Sequence, residues 1–268
     1  ESDLRRAVVR DELRLHYQPL VDVGGDHVFG VEALLRWQHP ERGLLQPESF
    51  IAMAENSGLI VPIGNWVLRE ACRQAKTWQR QFGMELIVGV NLSARQFQQS
   101  DLSDQVRTAL ADSGLRAKFL ELEITESNAM KDVEVSIRVL RELKALGVRI
   151  AIDDFGTGYS SLSYLRQFPV DTLKLDQSFV AEITVPEDGA IAGGVIAMAH
   201  SLQLKVLAEG VETLGQLDFL KSHACDRLQG FLFSRPLTPA MFEKYVAHRG
   251  RAAHPVSHSA QLRVAPGA

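Results

Sequence analysis

The chain predicts one α/β domain, a TIM-like (β/α)8 barrel with an antiparallel first strand. Three observations predict it. Eight short apolar runs with strand character succeed one another within 268 residues, and from the third onward each is followed by a helical stretch. The first two runs are joined only by Asp22–His27, a link too short for a parallel crossover, so that pair must be antiparallel. Finally, seven of the runs carry a polar, chemically able residue at or near the C-terminal end, where such barrels gather their active residues.

The elements follow in order. Leu13–Val21 and Val28–Trp37 are the first strands, around a turn containing Gly24-Gly25-Asp26. Pro62 opens a helix whose Ile63, Val67, Ala71, Ala75 and Trp78 keep helical spacing. Leu86–Asn91 reads as a strand and Leu102–Ser113 as a helix ended by Gly114. Phe119–Thr125 is a strand, followed by a helix with Val133, Ile137, Leu140 and Leu143 on one face and Gly147 at its end. Val148–Asp154 is a strand, Ser160–Phe168 a short helix and Thr172–Asp176 a strand again. A longer helix carries Ile191, Val195, Met198 and Leu202, and the strand Leu204–Glu209 precedes a capping box, Thr213-x-x-Gln216. A last short strand ends at Gln229-Gly230, with a helix after Pro239. The domain is expected over 1–247, and 248–268, without apolar periodicity, is expected to be a disordered tail.

Composition narrows the function classes. A net charge of −4 with no basic stripe argues against bulk binding to duplex nucleic acid. No apolar run approaches the ~20 residues of a membrane span, so no membrane contact is expected from this segment. Cys72 and Cys225 lie far apart in no metal spacing and read as buried thiols of a reducing, cytoplasmic compartment. The chain begins Glu1-Ser2-Asp3 without methionine, which suggests a piece of a larger multidomain sensor protein, one whose membrane-anchoring parts would lie elsewhere.

The polar residues near the strand ends are Glu32, Asn91, Glu123, Asp153-Asp154, Lys174, Glu209 and Gln229. One unpaired buried carboxylate costs several kcal/mol, comparable to the stability of a domain. Five can coexist only beside strong positive charge, which a pair of divalent cations with Lys174 alongside supplies. Oxygen ligands without histidine or thiolate select Mg²⁺ or Mn²⁺, with Ca²⁺ possible. A shared carboxylate such as Asp153 can hold two ions about 3.5–4 Å apart, an arrangement suited to attack on phosphate esters. Alternation places Glu32 and Arg36 on one face, the first toward metal and the second over the mouth. The residues by themselves point to metal-assisted hydrolysis of a phosphoester. Glu121 reads as a barrel-interior or helix-facing partner of a basic residue, and His39 and His200 as structural. Asp154-Phe155-Gly156 lacks the rest of a kinase signature, and Gly156-Thr157-Gly158 lacks the lysine of a phosphate loop.

At this point the sequence resembles the EAL domain family, phosphodiesterases specific for cyclic di-GMP. The resemblance runs from about Leu13 to Phe242. Its motifs are Tyr17-Gln18-Pro19, Glu32-Ala33-Leu34-Leu35-Arg36-Trp37, Asn91-Leu92-Ser93-Ala94-Arg95 and Glu121-Leu122-Glu123-Ile124-Thr125-Glu126. They continue with Asp153-Asp154-Phe155-Gly156, Leu173-Lys174-Leu175-Asp176, Ala208-Glu209-Gly210-Val211-Glu212 and Gln229-Gly230-Phe231.

The resemblance implies hydrolysis of cyclic di-GMP to linear pGpG with two Mg²⁺ or Mn²⁺ ions, Ca²⁺ being inhibitory, in a homodimer. It implies that Glu32, Asn91, Glu123 and Asp153 hold one ion, and Asp153, Asp154 and Glu209 the other. Lys174 would sit by the attacking water, with Glu209 as the competing base. Gln18, Leu35, Arg36 and Gln229 would meet the substrate, and Glu212 and Asp176 would support the site. Glu126 would anchor the loop Asp154–Ser161. Phe231 and Gln203 depart from the family's usual tyrosine and glycine. The alternative is a catalytically silent cyclic di-GMP receptor or regulatory module, but no catalytic position is substituted.

Overall fold

The structure is a computed structural model that describes residues 1–25, 27–156, 162–184 and 189–252. Asp26, the loop positions 157–161 and the tail from 253 onward lie outside the described residues, and so do the expectations placed on them.

Among the described residues nine strands form one sheet: β1 Leu13–Asp22, β2 Val28–His39, β3 Gly43–Leu45, β4 Ile87–Asn91, β5 Leu120–Thr125, β6 Arg149–Phe155, β7 Thr172–Leu175, β8 Lys205–Ala208 and β9 Arg227–Leu228. Their order is β1-β9-β8-β7-β6-β5-β4-β2-β3, and the further pairing β1–β2 closes eight of them into a barrel. β1 is antiparallel to both β2 and β9, and β2 through β4 to β9 are parallel around the rest of the ring. The first strand therefore runs against the others, as the short Asp22–His27 link requires.

The long helix Ile60–Phe82 packs on the outside through Ile63, Val67, Ala71, Ala75 and Trp78, the expected apolar face. It starts two residues ahead of Pro62. Helices Leu102–Ser113 and Val133–Ala145 fall where spacing and terminal glycines put them. Trp78 meets Tyr17 at 4.7 Å and Phe242 at 4.5 Å between ring centroids, tying the last helix, Pro239–Ala252, to the β1 side of the barrel. That helix runs through His248 to Ala252.

Several elements had no counterpart in the sequence reading, the short helices Ala94–Phe97, Glu126–Met130 and Gln177–Ala181 among them. Helix Ser2–Val9 buries only Leu4 and Ala7, too few positions to make a period visible. β3 and helix Ile51–Ser57 lie in the excursion after β2. β2 pairs with β4 only over Gly30–Ala33, so its remaining residues rise above the rim as a hairpin wall with β1. Glu32 therefore stands mid-strand rather than near a strand end.

Candidate functional site

Parallel strands that alternate in and out send every second side chain into the barrel, and the residues nearest the C-terminal rim meet there. Lys174, from the four-residue β7, is the hub. Its Nζ lies 2.6 Å from Glu123 Oε2, 2.8 Å from Glu209 Oε1, 3.1 Å from Asp153 Oδ2 and 3.9 Å from Glu32 Oε1. These residues come from five strands or strand ends spread over nearly 180 positions of sequence. The Lys174 and Glu123 side chains are only 3% and 1% exposed.

The electrostatics follow from that geometry. With Asp154 there are five carboxylates around one ammonium. Burial raises Glu123 well above the usual carboxylate range, and the neighbouring Glu32 and Asp153 add to this against the pull of Lys174. Burial likewise pushes Glu209 up to about 8. For Lys174 burial disfavours the charge, yet the carboxylates of Asp153, Glu123, Glu209 and Glu32 outweigh it and hold the ammonium well above its ordinary value. Such a cluster is short of positive charge, and its donors are all oxygen, which suits hard divalent cations.

Asp153 and Asp154 meet the mouth together because the strand breaks its own rule. In a regular strand consecutive side chains face opposite ways. Here Asp154 adopts φ 54°, the left-handed region, and the β6–β7 register shifts between Ile152 and Phe155. One oxygen each from Asp153, Asp154 and Glu209 then lie within 4.8 Å of one another, a candidate acidic metal site. The Asp154 N–H donates to Asp153 Oδ1 at 2.9 Å and fixes the kink. Burial, followed by the charges of Asp153 and Asp176, raises the Asp154 carboxyl.

Around this centre, Asn91 Nδ2 donates to Glu32 Oε1 at 2.7 Å. Gln229 Nε2 donates to Glu32 Oε2 at 2.6 Å and to Gln18 Oε1 at 3.0 Å. Its own Oε1 is buried without a hydrogen-bond partner. A cavity of about 880 Å³ opens above, lined among others by Gln18, Arg36, Asp176, Glu212 and Phe231. Arg36 is buried, its Nη1 donating to Leu35 O at 2.7 Å, and its side chain lines the cavity, which places a guanidinium beside whatever enters. Leu35 itself, expected at the substrate, packs in the apolar core instead, and Leu34 lines the cavity. Alternation along β2 decides this, since Glu32, Leu34 and Arg36 share a face that Leu35 cannot.

Glu126 Oε2 accepts the Gly156 N–H at 2.9 Å, at the start of the loop that it was expected to anchor. Asp176 caps helix Gln177–Ala181 by accepting from Ser178 N–H. Glu121 lies deeper in the barrel, accepting from Thr172 Oγ1 at 2.9 Å with Arg227 at 3.7 Å, the interior partnership expected of it. His39 accepts the Glu41 and Arg42 N–H groups, and His200 pairs with Asp226, both structural duties.

Sequence reasoning missed several lining residues, among them His16, Gln46, Glu48, Gln177, Arg235 and Pro236. Stepping back by two from Gln18 along β1 would have found His16. It also passed over Gly89, where a Cβ would come 2.0 Å from Glu123 Oε1; a glycine inside an apolar strand was the available signal.

The EAL domain model matches residues 1–236. The cyclic di-GMP phosphodiesterase NbdA of Pseudomonas aeruginosa is 48% identical over 258 residues, 96% of this chain and 33% of that protein. The bifunctional diguanylate cyclase/cyclic di-GMP phosphodiesterase MucR of the same organism is 49% identical over 236 residues, 88% of this chain and 34% of that one. A solved structure described as PaMucR phosphodiesterase in complex with c-di-GMP superposes with a TM-score of 0.87 at 48% identity, covering 90% of this chain and 98% of that chain. The chain thus spans about a third of the length of these curated relatives. On these matches, and with the barrel and its acidic rim as described, this chain belongs to the EAL domain family.

Proposed function

We propose that this chain is a metal-dependent phosphodiesterase that opens one phosphodiester of cyclic di-GMP to give linear pGpG. The observation that carries the reading is the gathering of Glu32, Glu123, Asp153 and Glu209 around Lys174 on the floor of a cavity of about 880 Å³. Support also comes from relatives named for this activity at 41–49% identity.

If all five carboxylates are ionised, they leave four negative charges beyond Lys174, which a pair of divalent cations would cancel. Glu32, Asn91, Glu123 and Asp153 would hold one and Asp153, Asp154 and Glu209 the other, with Mg²⁺ or Mn²⁺ as the ions. Bound there, they would supply Lewis acidity at the phosphoryl group and acidify a water. The chain's own groups do the rest. Arg36, lining the cavity, offers its guanidinium to a phosphate oxygen, a charge-assisted contact. Gln229 donates to both Gln18 and Glu32, which fixes the carboxylate's orientation before substrate arrives. Lys174, kept charged by its carboxylates, orients the attacking water and stabilises negative charge developing on the phosphoryl oxygens. Glu209, 2.8 Å from Lys174 Nζ, is the alternative group to take the proton of the attacking water. Glu126 steadies the start of the loop after β6 through Gly156, and Asp176 and Glu212 border the mouth.

We place the domain in the cytoplasm as one part of a longer signalling protein that works as a homodimer. No helix among the described residues is long and apolar enough to cross a membrane. Cys72 and Cys225 are free and buried, in keeping with a reducing compartment.

The test is incubation of the purified chain with cyclic di-GMP and Mn²⁺, followed by chromatography. The reading expects pGpG, its disappearance in EDTA, and none with Glu32→Ala in an intact fold. Tight binding with unchanged nucleotide would instead leave a silent receptor.

A further inference from the structure

Because β1 runs antiparallel, it climbs out of the barrel toward its own N-terminal end. Its mouth-facing residues pair across to β2 in steps: Gln18 with Glu32, His16 with Leu34, Arg14 with Arg36. Two residues along a strand span about 6.7 Å, so His16 stands one such step above the level where the carboxylates gather. It lines the cavity together with Leu34, Arg36, Gln46 and Glu48. The ring is half-buried and makes no hydrogen bond among the described residues.

A phosphodiester seated at the carboxylate floor fills only a small part of the cavity. A cyclic dinucleotide has a second phosphodiester on the far side of its ring, and the hairpin wall is the surface that rises from the floor toward it. Resting on the reading of the preceding subsection, we propose that His16 is a substrate-binding residue, hydrogen-bonding the uncleaved phosphodiester beside Arg36. Burial first, and the Arg36 guanidinium second, hold the imidazole below its ordinary value of 6.5. At pH 7 the ring is therefore neutral, offering one N–H donor and one acceptor without repelling Arg36. An aliphatic residue at this place would leave Arg36 alone to fix the distal half.

The experiment compares His16→Ala, His16→Phe and His16→Asn in the full chain. Each is assayed with Mn²⁺ on cyclic di-GMP and on bis(p-nitrophenyl) phosphate, a diester with a single phosphate. Losing one hydrogen bond to a charged group should raise KM and Kd for cyclic di-GMP roughly tenfold. Turnover should stay within about twofold and hydrolysis of the small diester should not change. His16→Phe should match His16→Ala because ring volume is not the contribution, and His16→Asn should recover part of the affinity. Unfolding midpoints of the variants check the fold. Unchanged KM and Kd in His16→Ala would overturn the assignment, as would equal losses on both substrates, which would mark an effect on the floor of the site. If the unsubstituted chain fails to bind cyclic di-GMP at all, the functional reading falls first and this assignment with it.

Discussion

Lys174→Met removes the ammonium shared by four carboxylates while keeping an unbranched stem. Glu32, Glu123, Asp153 and Glu209 are then left together without counter-charge. The folded chain relieves this by taking up a further proton. A glutamate whose ordinary pKa is about 4.3 and which must stay protonated at pH 7 costs roughly 3–4 kcal/mol, at 1.36 kcal/mol per tenfold. For a chain of this size that lowers the unfolding midpoint by roughly 10 °C. The sign is fixed by the direction of the shift. A carboxyl whose pKa is raised by folding is not penalised below its unfolded value, so the deficit should be small near pH 4 and grow as pH rises to 7. Saturating Mn²⁺ should raise the midpoints of both proteins, an ion at a hundred times its Kd adding about 2.7 kcal/mol to the folded state. The assay is thermal unfolding of both proteins in EDTA at pH 5 and pH 7, repeated with Mn²⁺. Equal midpoints in EDTA at pH 7, or a deficit that ignores pH, would refute the shared-charge argument.

Three further outcomes are expected. Glu126→Ala removes the acceptor of the Gly156 N–H and should lower turnover about tenfold, while Glu126→Gln, which keeps an acceptor, should recover most of it; steady-state kinetics on cyclic di-GMP decide. Gln203 sits at φ 63°, a left-handed conformation that glycine adopts at no steric cost, so Gln203→Gly should stabilise by about 0.5–1 kcal/mol and raise the midpoint by a few degrees. Asp226 accepts from Lys205, His200 and the Val206 N–H at the end of the barrel opposite the site. Burial would raise its carboxyl, but those bonds win and hold it below 3.8. Its stabilisation is therefore complete above pH 3.8 and lost as pH falls through the lowered value. Asp226→Asn should cost roughly 1–2 kcal/mol at pH 7 and little near pH 3, with activity unchanged; urea unfolding at both pH values checks it.

Most of the barrel was legible because its signals are local. The apolar face of Ile60–Phe82, the glycines that stop the helices and the short first link each fix an element without reference to the rest. Helix Ser2–Val9 and β3 escaped for the opposite reason, since two buried side chains or three strand residues leave no period to read. In the site, polar residues near strand ends were visible as violations of an apolar pattern. What stayed hidden depends on backbone detail. The left-handed turn at Asp154 decides that both aspartates face the mouth, and nothing in Asp-Asp announces it. Leu35, placed at the substrate by the resemblance, packs in the core because the pleat lets Glu32, Leu34 and Arg36 share the inner face. Glu48 lies in the short turn Pro47–Ser49, whose place at the cavity no sequence period marks.

Everything proposed for the chemistry depends on these gathered oxygens holding divalent cations, and counting the ions tests that most directly. Equilibrium dialysis against Mn²⁺ with metal analysis should find about two ions per native chain, and binding should collapse in Asp153→Asn, which weakens the carboxylate common to both positions. A native chain that retains no manganese, or an Asp153→Asn variant that retains just as much, would contradict the account.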